Sequence, residues 1–295
     1  FNNAGSMKII RLMVPAMLGT AAVQINLLID TIVASLLITG SISWLYFSDR
    51  LIELPLAVFG IAISIVILPV LSEHFQKENS HQYSDTLTKS IKLAFMIAMP
   101  SMLGLIALSG TITSALYMYG SFSAVDVKMT MLSLVTYSLG LPAFILIKIL
   151  VTAFYSRQDT RTPVIYSLVG ISINIISNLS VLYFYLKNPF EGAHALIALA
   201  TSLSAWIQVS LMSIKLKSLN IIKDNIIFNI LSLKVIASSV IMFFLIFLYG
   251  NVTPFENHTN AYERAGTLLL NITYGAIVFF ISLRIFGVKL NSYKI

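Results

Sequence analysis

Cysteine is absent from this 295-residue chain, which excludes disulfides, thiolate catalysis and cysteine-held metals and leaves the redox compartment open. Charge is almost as scarce. Only 11% of residues are Asp, Glu, Lys or Arg, against roughly a quarter in a soluble domain, so a water-facing globular surface is excluded. The start also has neither an initiator methionine nor the charged, apolar and cleavage regions of a signal peptide. The opening FNNAGSMKII therefore reads as a piece of a longer sequence.

Apolar sequence fills the space that charge leaves. Hydrophobic residues make up 57% of the chain and the mean hydropathy is +0.88. A helix needs roughly 20 apolar residues to cross the hydrocarbon, and eight stretches qualify, at about 13–37, 44–71, 91–109, 129–154, 163–186, 194–214, 231–250 and 265–286. The expected fold is all-α: a polytopic membrane bundle of eight transmembrane helices. Connections are short except 72–90 and 215–230, both charged, so no soluble domain is inserted.

The net charge of +7 does not point to nucleic acid, because the basic residues follow the membrane topology. With the amino terminus inside, fourteen fall on the inner side: Lys8, Arg11, Lys77, Lys89, Lys92, Arg157, Arg161, Lys215, Lys217, Lys223, Lys234, Arg284, Lys289 and Lys294. Only Lys128, Lys187 and Arg264 fall outside. That bias places both termini in the cytoplasm.

Prolines 15, 55, 69, 100, 142 and 163 lie within spans or at their ends. Each removes a backbone hydrogen bond, which a membrane helix tolerates where neighbours re-satisfy the freed carbonyl. Pro55 and Pro142 stand out because each lies within two turns of an intramembrane cation, Arg50 and Lys148.

Arg50 is the costliest residue in the sequence. A guanidinium cannot lose its proton, and placing it in a bilayer costs at least ~2.5 to 3.5 kcal/mol. Arg50 and Glu53 are three apart and Asp49 and Glu53 four apart, so the three share a helical neighbourhood. Two readings stand: an internal salt bridge that neutralises Arg50, or a wet cavity in which its planar fork holds an anion such as phosphate. The local excess of acid favours further cations on the same space. Lys148, about two turns from the inner end of its span, either snorkels to the interface or serves as a cavity cation.

A second group is made of oxygen donors: Asp30 in the first span, Asn174 and Asn178 one turn apart in the fifth, and Thr201 in the sixth, with a backbone carbonyl near Ile197. One carboxylate among neutral oxygens suits a hard cation such as sodium rather than zinc or copper. The alternative is polar bonding between helices, although Asp30 is expensive in that role. The loop Phe154-YSRQDTRTP holds Arg157, Asp159 and Arg161, either as an interfacial charge cluster or as a contact for a phosphorylated head group. His74, His81, His194 and His258 lack metal-ligand spacing and receive no role. The glycosylation-like sequences at Asn251 and Asn257 are read as chance matches.

Taken in order, Arg11-LMVPAMLGTAAVQINLLIDTIVAS, Gly40-SISWLYFSDRLIELPLAVFGIAISIVILPVLS, Phe154-YSRQDTRTP and Ala195-LIALATSLSA resemble the MurJ (MviN) family of bacterial lipid II flippases, within the multidrug/oligosaccharidyl-lipid/polysaccharide exporter superfamily. The resemblance spans essentially the whole chain. It implies a fourteen-helix protein of which this chain is the C-terminal part: a six-helix C-lobe at 1–216 and two final helices, 217–295, forming a groove for the lipid tail, with the N-lobe missing. It implies transport of lipid II, an undecaprenyl-pyrophosphate-linked disaccharide-peptide, across the bacterial inner membrane by alternating access. That role belongs to peptidoglycan biosynthesis, hence to cell-wall biogenesis and cell shape. The implied partners are lipid II, membrane lipids and the N-lobe, with no nucleic acid and no enzymatic step. Arg50 then corresponds to a cavity arginine implicated in pyrophosphate binding, with Asp49 and Glu53 in the same motif. Asp30, Asn174, Asn178, Ile197 and Thr201 correspond to the family's sodium site, the only cofactor implied. Asn178 departs from relatives that carry Asp there, leaving one carboxylate.

Competing classes are weaker. A cation-coupled multidrug exporter would want an acidic, aromatic cavity. A membrane transferase would want paired metal-binding acids in a cytoplasmic loop, and Glu73, Glu78 and Asp85 are not paired tightly. A scaffold without substrate leaves Arg50 and Asp30 unexplained.

Overall fold

In the computed structural model, which describes residues 4–222, 230–252 and 261–288, every regular element is helical. The chain runs α1 (Ala4–Ser35), α2 (Ser41–Pro55), a π-helical segment (Leu56–Ile61), α3 (Ala62–Gln76), α4 (Ser80–Ala107), α5 (Ser109–Tyr117), α6 (Ala124–Ser138), α7 (Leu141–Ser156), α8 (Arg161–Lys187), α9 (Ala193–Ser218), α10 (Ile230–Val252) and α11 (Ala261–Ile285). Lys223, Asn257, His258, Lys289 and Lys294 lie outside the described residues.

Six helices among the described residues are long and apolar enough to cross a membrane, and a seventh span arises if α6 and α7, bent by 42° to one another, are taken as one. The expected first span corresponds to α1, whose apolar part among the residues searched is Val23–Ser35. The eight expected spans therefore map onto helices, with a less even division than the hydropathy suggests.

Two local departures have physical causes. The expected 72–90 loop is mostly helix, with only residues 77–79 connecting α3 to α4. Its charges are helix-end charges paired one turn apart, Lys77 with Glu73 at 2.6 Å and Lys89 with Asp85 at 2.8 Å, and Asn79 caps α4 by accepting from the Gln82 amide. The second span, Ser41–Gln76, is continuous over 36 residues but widens into a π-turn just after Pro55. Proline has no N–H to donate, and a π-bulge is one way for a helix to pass such a gap.

The break between α6 and α7 frees backbone carbonyls, and α9 supplies their partners. Ser202 donates to the Thr136 carbonyl at 2.8 Å and the Trp206 indole to the Leu139 carbonyl at 2.9 Å, meeting the requirement that intramembrane backbone stay hydrogen-bonded. Gly140 sits at this break because a Cβ there would fall 2.6 Å from the Ser202 hydroxyl. Pro142 occupies the first turn of α7, where its missing N–H costs nothing.

Helix α7 is largely apolar and lies at the centre: Leu141, Ile145, Leu146, Ile149, Leu150 and Phe154 are almost fully buried. Around it pack α3, α4 and α9. Large apolar side chains stand exposed on the outside, Ile65 and Ile176 among them, as a lipid-facing surface permits. Helix α10 lies along α4 and α11 along α10, and Arg264 ties α11 to the end of α5 by donating to the Met118 carbonyl at 3.1 Å.

Candidate functional site

Two polar sites emerge, and they differ in exposure. The first is on α2. Arg50 donates to Glu53 at 2.6 Å, and the two side chains are 50% and 51% exposed. The guanidinium also lies over the Tyr46 ring, 4.9 Å from its centre. Residues 46, 50 and 53 stand one turn apart, so the helix alone brings them together. An internal ion pair is thus present, but on an open face, where such a pair adds little to stability. Asp49 is turned partly inward; its carboxylate is within Coulomb reach of Glu53, Arg50 and Asp30, and it belongs to none of the ion pairs among the described residues. Lys148 stands exposed on α7 and joins none of those pairs either.

The second site is buried where α1, α8 and α9 meet. Asp30 is 5% exposed, and Asn174 and Asn178 are fully enclosed. Asn178 donates from Nδ2 to Asp30 Oδ1 at 2.6 Å and also to the Asn174 carbonyl oxygen. Thr201 approaches Asp30 Oδ2 at 3.1 Å and the Ile197 carbonyl at 3.2 Å, and it accepts from Asn174 Nδ2 at 2.8 Å. All five residues singled out in the sequence share one hydrogen-bonded cluster. Its donors to a cation would be one carboxylate and neutral oxygens, and the Asn178 Oδ1 is buried without a partner. That composition fits a small hard cation.

Two members of this cluster escaped the sequence reading. Asn26, one turn before Asp30, donates to Asp30 Oδ2 at 3.3 Å; its i, i+4 spacing could have revealed it. Tyr137, buried on α6, is held next to the cluster by Ser202, the neighbour of Thr201, which donates to the Tyr137 carbonyl at 3.3 Å. Nothing local in the sequence distinguishes it from the other twelve tyrosines.

The Phe154–Pro163 loop is a fixed corner. Asp159 accepts from the Thr162 amide at 3.0 Å and the Thr162 hydroxyl at 2.6 Å, while the Arg157 guanidinium lies over the Phe75 ring at 5.3 Å. Arg161 is exposed at the start of α8.

A bundle of membrane-length helices, with an ion pair on an open face and a carboxylate enclosed within, defines a polytopic membrane protein of the transporter class. The chain belongs to the MurJ family: the family model described as "Lipid II flippase MurJ" matches residues 1–261. A probable lipid II flippase MurJ of Vibrio cholerae is 44% identical over 212 residues, covering 72% of this chain and 39% of the relative. That of Buchnera aphidicola subsp. Schizaphis graminum is 32% identical over 299 residues, covering 100% of this chain and 56% of the relative. The chain thus spans about half the length of the curated relatives it matches. A solved structure of lipid II flippase MurJ in an inward closed conformation superposes with a TM-score of 0.74 at 28% identity, covering 97% of this chain and 56% of the other. A MOP superfamily transporter from Pyrococcus furiosus shares the fold alone, with a TM-score of 0.60 at 16% identity and coverage of 94% and 62%.

Proposed function

We propose that this chain forms one wall of the translocation cavity of a lipid II flippase. In the whole protein it moves the polar head of the lipid-linked precursor from the cytoplasmic to the outer leaflet of the bacterial inner membrane, with the termini of this segment in the cytoplasm. The observation that carries the reading is the half-exposed Arg50–Glu53 pair, held within a membrane-length helical span in a chain of the MurJ family. A charged pair kept in contact with water within a membrane span is suited to exchanging partners, and a pyrophosphate offers Arg50 two parallel hydrogen bonds in place of the Glu53 carboxylate. Lys148 is the second cation of this wall, and Asp49 and Glu53 set its local charge. Unaided passage of the pyrophosphate and sugars through hydrocarbon is prohibitive because their charges and hydroxyls would be stripped of water.

The Asp30 cluster is the coupling site of this reading. A sodium ion there would be held by the Asp30 carboxylate, the amide oxygens of Asn174 and Asn178, the Thr201 hydroxyl and the Ile197 carbonyl. It would supply positive charge to a carboxylate that is otherwise enclosed at high cost. The lobe at 1–216 and the last pair of helices at 217–295 divide the work, with the polyprenyl tail lying beside α10 and α11. The deciding experiment is complementation of a flippase-depleted strain by full-length Arg50→Ala protein: loss of growth at normal membrane abundance is expected, and full growth overturns the reading.

A further inference from the structure

Seven buried side-chain polar atoms have no hydrogen-bond partner among the described residues, and five of them belong to two neighbouring places, the Asp30 cluster and the seam between α6 and α9. Asn26 Oδ1 and Asn178 Oδ1 are at the Asp30 cluster. The other three, Ser133 Oγ, Thr130 Oγ1 and His194 Nδ1, lie along the seam where α6 packs on α9. Thr130, Ser133 and His194 are all fully enclosed.

Helix geometry connects the two places. Asp126, Thr130, Ser133 and Tyr137 follow one another at spacings of four, three and four on α6, one face over roughly 16 Å of rise. His194, Ile197 and Thr201 form the facing stripe on α9. The two stripes meet at the deep end, where Ser202 on α9 donates to the Tyr137 carbonyl at 3.3 Å and the adjacent Thr201 approaches Asp30 at 3.1 Å. They also meet at the shallow end, where His194 donates from Nε2 to the Met129 carbonyl at 3.0 Å and its bare Nδ1 is left unpartnered.

Beside the shallow end lies an open pocket of about 530 Å³ lined by Gly40, Ser43, Trp44, Tyr117, Tyr119 and Asp126 among others. Asp126 there accepts from the Trp44 indole at 2.8 Å, and the Trp44 ring lies 4.9 Å from His194. A carboxylate thus stands at the pocket, the Trp44 and His194 rings come next, and the Thr130 and Ser133 hydroxyls follow along α6 towards Asp30. Buried polar atoms nearly always find a partner in protein, water or ions. A file of unpartnered oxygens between two carboxylates is suited to hydrated cations.

We propose that the α6–α9 seam is an ion path: a small monovalent cation enters at the Asp126 cavity, passes Trp44 and His194, and moves with its water along Thr130 and Ser133 to Asp30. The path rests on reading Asp30 as a cation site, and the test separates the two. In protein free of other cysteines, Ser133→Cys, a change of one atom, is treated with a small cationic methanethiosulfonate from the Asp126 side. It should be modified about ten-fold faster or more than Leu134→Cys, an equally buried neighbour off the stripe, since thiol reactivity follows access and charge environment. Sodium should slow that modification, and the slowing should vanish in Asp30→Asn while modification persists. Modification of Ser133→Cys no faster than Leu134→Cys overturns the path. Modification that sodium never slows overturns the cation reading of Asp30 instead.

Discussion

The two charged places in this lobe handle the same problem, a full charge at membrane depth, in opposite ways. Arg50 keeps its charge on a half-exposed face and takes a partner from its own helix. Asp30 is enclosed, and three side chains on three helices, Asn26, Asn178 and Thr201, converge on it. The open pair costs little to break, so an incoming anion can replace Glu53 without disturbing the fold. The enclosed cluster is bound up with the packing of α1, α8 and α9, so anything that binds there also bears on how those helices sit together. Ligand exchange suits the first site and conformational coupling the second.

Mutations can break or sharpen this contrast. The largest effect belongs to Arg50→Ala: transport should fall by two orders of magnitude or more, read as loss of complementation. Its thermal stability should stay close to that of the parent, since an exposed pair contributes little; a clear loss of stability would move Arg50 into the structural class with Asp30. Asp30→Ala should do both kinds of damage. Removing the acceptor shared by Asn26, Asn178 and Thr201 costs about 1 kcal/mol or more, tempered because Asn178 keeps Asn174 and Thr201 keeps the Ile197 carbonyl as acceptors, and sodium-dependent thermal stabilisation should disappear. An unchanged sodium shift in the melting profile would leave the cluster as packing alone.

Asn178→Asp tests the same contrast from the other side. A second carboxylate beside Asp30 should lower stability in sodium-free buffer, because like charges in an enclosed space repel, and should enlarge the stabilisation that sodium gives. Thermal melts across a sodium titration read both effects. The smallest change is expected for Glu53→Gln. Removing the competing carboxylate should strengthen pyrophosphate binding to purified protein only about two-fold, the worth of a surface pair, as measured by calorimetry. A loss of binding would make Glu53 a positioning group for the anion.

Much of this arrangement is legible in the residues, for a physical reason. Charges and amides are so costly in hydrocarbon that Asp30, Arg50, Asn174 and Asn178 stand out wherever they occur, and helical spacing then says which of them share a face. Helix existence is legible for the same reason, since uninterrupted apolar runs leave few alternatives. What escapes is set by tertiary context. The short helix α5 is too brief to register as a span, and the charged ends of α3 and α4 read as loop because charge at a helix end looks the same as charge in a connection. The break at Gly140 depends on Ser202 and Trp206, residues more than sixty positions away. Tyr137 became part of the Asp30 neighbourhood only when α6 was laid against α9.

The π-turn after Pro55 carries a consequence of its own. A turn of this kind holds one residue more than an α-helix needs for nearly the same advance, so it acts as a spacer that sets the angle between the helix before it and the helix after it. Here it separates the face bearing Arg50 from α3, which is packed on the core through Ile67 and Leu71. Deleting one residue from Leu56–Ile61 would let this turn become plain α-helix with the two faces kept nearly in phase, whereas inserting one more would turn them by about 100° relative to each other. The segment therefore already holds the one extra residue it can absorb, and a further insertion there should be tolerated far less well than a single deletion or a substitution.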